Sequence, residues 1–120
     1  MDDNQYAPDN IQRQALKTWY SDGSSLREQR IHALLGLAGE TGELVDLMKK
    51  HFYKPGRETT QDKVKDELSD VLYYVAVLSH LWGFTFEDMT AHLAVKLAGG
   101  HGWRNDGHQP GALDEQNSAD

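Results

Sequence analysis

Cysteine is missing altogether from this 120-residue sequence. That single absence removes disulfides, zinc–thiolate sites and thiol nucleophiles, and it fits a reducing compartment such as the cytoplasm. Basic charge is scarce: 12 Lys and Arg stand against 19 Asp and Glu, for a net charge of −7. No basic stripe for a nucleic acid is visible in such a chain, and none is expected to bind. The longest nearly apolar run, Val71 to Trp82, is too short to cross a bilayer and reads as a buried helix, so no membrane partner is expected. The N-terminal MDDNQYAPDN is acidic and polar, unlike a signal or transit peptide. A P-loop, a GxGxxG fingerprint, HExxH and ExxH motifs are also missing. Phosphate binding by a glycine-rich loop, a zincin site and a di-iron bundle are therefore disfavoured.

What remains has helical periodicity and no strand pattern. Asp9 or Asn10 can cap a first helix to about Tyr20, with Ile11, Leu16 and Trp19 as its apolar side. SDGSS (21–25) is a turn, and a long second helix runs from about Leu26 to Phe52, ending before Lys54-Pro55-Gly56. Its apolar stripe comprises Leu34, Leu37, Ala38, Leu44, Val45 and Met48. Thr60 or Gln61 opens a third helix over roughly 62–82, stopped by Gly83. Thr85 with Asp88 forms an approximate capping box for a fourth, which carries Phe86, Met89, Leu93 and Leu97 to Gly99-Gly100. The expected architecture is an all-α four-helix bundle over residues 1–106, with a flexible tail at 107–120. A chain this short buries a modest core, so self-association would stabilise it.

Four carboxylates stand out: Glu40 with Glu43 and Glu67 with Asp70, each pair spaced i, i+3 on a helix. Such a pair points the same way, about 60° apart around the axis. One pair alone is usually surface decoration, and Lys50 and Lys63 offer ordinary helical ion partners. Two pairs on neighbouring antiparallel helices meet at one locus, and Glu67 and Asp70 share a face with Tyr74, Leu78 and Leu81. Clustered acids need a cation, and oxygen-only ligation selects magnesium, with manganese as the alternative.

The stretches LGLAGETGELVDLMKK and KDELSDVLYYVAVL resemble the signature helices of the MazG-like nucleotide pyrophosphohydrolases, in the all-α NTP pyrophosphatase superfamily. The family pattern ExxE, spacer, ExxD is matched by Glu40, Glu43, Glu67 and Asp70, and the similarity covers about residues 10–104. The resemblance implies a four-carboxylate magnesium site and cleavage of an NTP or dNTP to the monophosphate and pyrophosphate. It also implies a dimer or tetramer whose subunits share the pocket. Glu40 or Glu43 would act through water as general base. VKLAGGHGWRN is similar to the family's Lys…Arg segment and would put Lys96 and Arg104 near phosphates, although Ala94 stands where the family often carries Asn. Tyr74 is tilted by the resemblance from a core role towards substrate phosphate.

Other residues divide between bland and functional roles. Lys50, Lys54 and Arg57 lie at or after the end of the second helix, within reach of phosphates if not simply solvated, and Lys54 is the candidate among them. Trp19 and Trp82 fit core packing better than base stacking. His32 and His80 fit structural or surface roles. Gly36, Gly39 and Gly42 each cost a helix about 1 kcal/mol relative to Ala, which suggests close approach by a helix or ligand. Two readings compete with the hydrolase: a non-catalytic nucleotide- or metal-sensing module, and a phosphoribosyl-ATP pyrophosphohydrolase.

Overall fold

A computed structural model describes residues 4–99. Four helices and no strand occur among them: α1 (Pro8–Thr18), α2 (Leu26–Tyr53), α3 (Gln61–Leu81) and α4 (Phe86–Gly99). The all-α expectation holds. The chain divides into two units, one ending at Met89 and one beginning at Thr90. In the second, the described part is the continuation of α4 to Gly99, which carries Leu93, Val95, Lys96 and Leu97. Arg104 and the proposed tail at 107–120 lie outside the described residues.

Local chemistry sets the helix ends in the first unit. Ser25 caps α2 by accepting the Glu28 N–H (3.1 Å), and its hydroxyl donates to the Glu28 carboxylate (3.0 Å). Sequence reading saw only a turn there. Thr60 caps α3 through the Lys63 N–H. At the other end, Gly83 adopts φ 89°, with its N–H on His80 O and the Phe84 N–H on Ser79 O. That pair of bonds is a Schellman closure, which a left-handed glycine permits. Thr85 and Asp88 exchange both bonds of a capping box (3.0 and 3.1 Å).

The expected cap of α1 is wrong. Ala7 occupies that position without a side-chain bond, and Pro8 supplies the preset φ of the first turn. Asp9 instead accepts the Glu87 N–H (2.9 Å), and Asn10 donates to Asn4 O. The helix also stops at Thr18, short of Tyr20.

The core is built from small residues that let helices approach. Ala33, Ala76 and Val77 are fully buried, with Ala15, Leu81 and Phe86 around them. Helix α3 packs against both α1 and α2. Gln12 sits inside this core at 6% exposure. Its amide donates to Ala76 O (3.0 Å) and Phe84 O (3.3 Å), and its carbonyl accepts the Phe86 N–H (3.1 Å).

Two apolar expectations need correction. Within the α2 stripe, Leu34 and Val45 are 58% and 61% exposed and Ala38 is exposed too, because the stripe is wider than α3 can cover. Along Val71–Trp82, Leu72 and Trp82 are likewise exposed. Trp82 is therefore no core residue: the Arg30 guanidinium stacks 3.9 Å over its ring while donating to Leu81 O. Among the described residues no helix is long and apolar enough to cross a membrane.

Candidate metal centre

Residues 54–60 turn the chain back so that α3 runs antiparallel to α2. Arg30 meets Leu81, Gly36 meets Tyr74, and His51 meets Thr59, the contacts climbing one helix as they descend the other. In that register Glu40 and Glu43 face Glu67 and Asp70. One oxygen each from Glu40, Glu67 and Asp70 lies within 4.8 Å of the other two. Among the described residues no other trio of acid or histidine ligands is so close. Glu43 falls outside the trio and is exposed, yet its charge acts on both Glu40 and Glu67.

The inward orientation expected for the α3 pair holds for one member. Glu67 and Glu40 are half-buried, whereas Asp70 is exposed at the rim. One oxygen of Glu40 and one of Glu67, both Oε2, are buried with no hydrogen-bond partner. Buried carboxylate oxygens without a donor are costly. Desolvation first, and then the charges of neighbouring acids, hold both carboxyls above the usual glutamate range. Among the described residues neither Lys63 nor any other cation pairs with them: the ion pair nearest in α2 joins Lys50 to Asp46 (2.7 Å), which lowers the Asp46 carboxyl instead. An all-oxygen donor set with two orphaned oxygens fits a hard divalent cation.

Beside the acids opens a cavity of about 670 Å³, within the roughly 300–1,000 Å³ of small-molecule sites. Glu43 and Glu67 line it together with Lys50, Arg57 and Lys63. Gly39 and Gly42 also line it, and a Cβ at either would meet nothing within 4 Å. Gly36 is different, since Tyr74 lies directly against it. Of the three glycines, only Gly36 answers to close approach by a neighbouring helix.

The remaining candidates lie on several elements. Tyr74 is half-buried, edge-on to Trp19 (6.5 Å) and Tyr73 (5.0 Å), and desolvation with the charge of Glu40 holds its phenol protonated beyond the usual range. Lys54 is exposed at the C-cap of α2 and does not line the cavity. Lys96 is on α4 in the second unit. Trp19 is half-buried, its N–H on Gln29, with the His32 ring tilted against it at 5.1 Å. His80 is exposed, as expected of a surface histidine.

Sequence reasoning treated Arg57 as one loop charge among several and Lys63 as a helical partner of Glu67. The signal that separates Arg57 was present in Lys54-Pro55-Gly56-Arg57. Pro followed by Gly favours a type II turn. The turn forms, with Arg57 N–H on Lys54 O (3.1 Å) and Gly56 at φ 81°.

The family model for the MazG nucleotide pyrophosphohydrolase domain matches residues 29–104. The match takes in both acid pairs, the cavity and the connecting turn. No curated protein and no solved structure matches the chain.

Proposed function

The chain belongs to the MazG nucleotide pyrophosphohydrolase family, and from that premise we propose that it hydrolyses nucleoside triphosphates, NTP or dNTP, to the monophosphate and pyrophosphate with magnesium. The observation that carries this reading is the Glu40–Glu67–Asp70 trio with its two orphaned buried oxygens. Manganese satisfies the same donor set.

Glu40, Glu67 and Asp70 would hold the ion, with Glu43 completing the set from the cavity side. Bound magnesium supplies charge neutralisation of the phosphate chain and makes water more acidic. The protein's part is positioning. Glu40 or Glu43 takes a proton from the attacking water. Tyr74, kept protonated, can donate a hydrogen bond to a phosphate oxygen but cannot itself serve as base.

Self-association belongs to the same reading. Leu34, Leu35, Val45 and Phe52 on α2 are 58–66% exposed, and Leu68 and Leu72 on α3 are also uncovered. So much apolar surface on one small unit suits a dimer or tetramer in a four-helix arrangement. A cytoplasmic location, with nucleotides rather than nucleic acid or membrane as ligand, follows from the acidic, cysteine-free composition.

A panel of NTPs and dNTPs incubated with the protein and magnesium tests the proposal. Equal release of monophosphate and pyrophosphate supports it. Orthophosphate alone, or no turnover of any nucleotide, contradicts it.

A further inference from the structure

The acid trio sits at the middle of α2, and the molecule differs on its two sides. Towards the start of α2 lie the rings of Trp19, His32 and Tyr74. Towards its end lies the 670 Å³ cavity, whose lining holds seven charged side chains and no aromatic one. A cavity so charged suits an ionic ligand and offers no flat surface to a base.

The sign of that ligand follows from which charges are already satisfied. Lys50 is paired to Asp46 at 2.7 Å, and the Glu58 carboxylate accepts the Gly56 N–H (3.3 Å). Glu43 and Glu67 belong to the cation site on the proposed reading. Arg57 and Lys63 are left without an ion pair among the described residues. Arg57 and Lys63 are thus the cavity's two cations that no acid engages, and both suit an anionic ligand that also meets an ion held on the acids.

The backbone that carries Arg57 is also held in place. It closes the type II turn through its N–H on Lys54 O (3.1 Å), and the same loop is tied to α2 by the Thr59 N–H on His51 Nδ1 (3.1 Å). A guanidinium on a loop pinned at two points is ready to take phosphate oxygens in its fork.

We propose that this cavity is the seat of the leaving pyrophosphate and that Arg57 is the residue that grips it, so that the terminal phosphates of the substrate point towards loop 54–60. The assignment rests on the pyrophosphohydrolase reading but fixes something that reading leaves open, the direction in which the triphosphate lies.

Product inhibition tests it. Monophosphate formation by wild type, Arg57→Ala and Arg57→Glu is measured with magnesium against added pyrophosphate and, separately, against added nucleoside monophosphate. Arg57 is exposed on a loop, and unchanged thermal unfolding of the variants shows that they fold. Loss of a charge-assisted fork contact should raise the inhibition constant for pyrophosphate about tenfold or more in Arg57→Ala, further in Arg57→Glu, and leave that for monophosphate within about twofold. Unchanged pyrophosphate inhibition in both variants, or weakened monophosphate inhibition in its place, overturns this inference while leaving the hydrolase reading standing. Should wild type turn over no nucleotide, calorimetric titration with magnesium pyrophosphate decides separately. Binding weakened by Arg57→Ala upholds the seat without the reaction; no binding to wild type overturns it.

Discussion

The ring of Tyr74 on α3 lies directly against the backbone of α2 at Gly36. A Cβ added there would come within 2.8 Å of Cδ1 and nearer still to Cε1 and Cζ. This contact sets how closely the two acid-bearing helices approach, and it separates three glycines that look alike in sequence. Gly36→Ala should destabilise the fold by about 1–3 kcal/mol through overpacking. Gly39→Ala and Gly42→Ala meet open space and should stabilise it, each by up to about 1 kcal/mol of helix propensity. Urea denaturation midpoints of the three variants, at constant slope, check the opposite signs.

Gln12 fastens α1 to the α3–α4 junction through three bonds at a buried position. Gln12→Leu keeps the volume but orphans the Phe86 N–H, which stands in the first turn of α4 with no intrahelical partner, and takes a donor from the Phe84 carbonyl. Each orphaned buried group costs about 1–3 kcal/mol, so this variant should lose more stability than either Ile11→Ala or Leu16→Ala. Thermal unfolding compares them.

Acid pH should act on the metal-free protein in an unusual direction. Glu40 and Glu67 hold protons more tightly folded than unfolded, chiefly because burial desolvates them. Between the ordinary glutamate value of 4.5 and their raised folded values, the folded state binds more protons. These two groups therefore favour folding as pH falls into that window and oppose it as pH rises through the folded values. Magnesium needs the deprotonated forms, so its stabilising effect should have the opposite slope and fade on acidification. Melting temperatures from pH 7 down to 5, with and without magnesium, should converge as the pH drops.

The uncovered faces of α2 and α3 predict an assembly. Leu34→Asp or Val45→Asp, at positions about 60% exposed, should leave the isolated fold intact and shift the sedimentation profile towards monomer. A wild-type protein that sediments as monomer at micromolar concentration would contradict the self-association proposal.

Much of the fold was legible because its signals are local. The Thr60 and Thr85–Asp88 caps, the Gly83 stop and the helical periods all depend on neighbours in sequence, and they form as read. The cap of α1 was misread because Asp9 is bonded to Glu87, 78 residues away. Buried Gln12 was passed over for the same reason, as its partners are contributed by α3 and the start of α4. The exposure of Leu34, Val45 and Trp82 shows the limit of a helical wheel, which marks an apolar stripe but not what covers it. At the candidate site, i, i+3 spacing and antiparallel packing located Glu40, Glu67 and Asp70 together. The spacing gave no sign that Glu43 would stand apart from the trio, nor that Arg57 rather than Lys54 would line the cavity.

Magnesium titration of wild type against Glu67→Gln, followed by calorimetry and by pyrophosphate release from an NTP, tests the central claim most directly. The carboxylate cluster predicts saturable divalent binding in wild type. In the variant, affinity and turnover should fall together, by more than the 10–100-fold typical of losing an outer-shell partner. Absence of divalent binding in wild type, or full activity in Glu67→Gln, would contradict it.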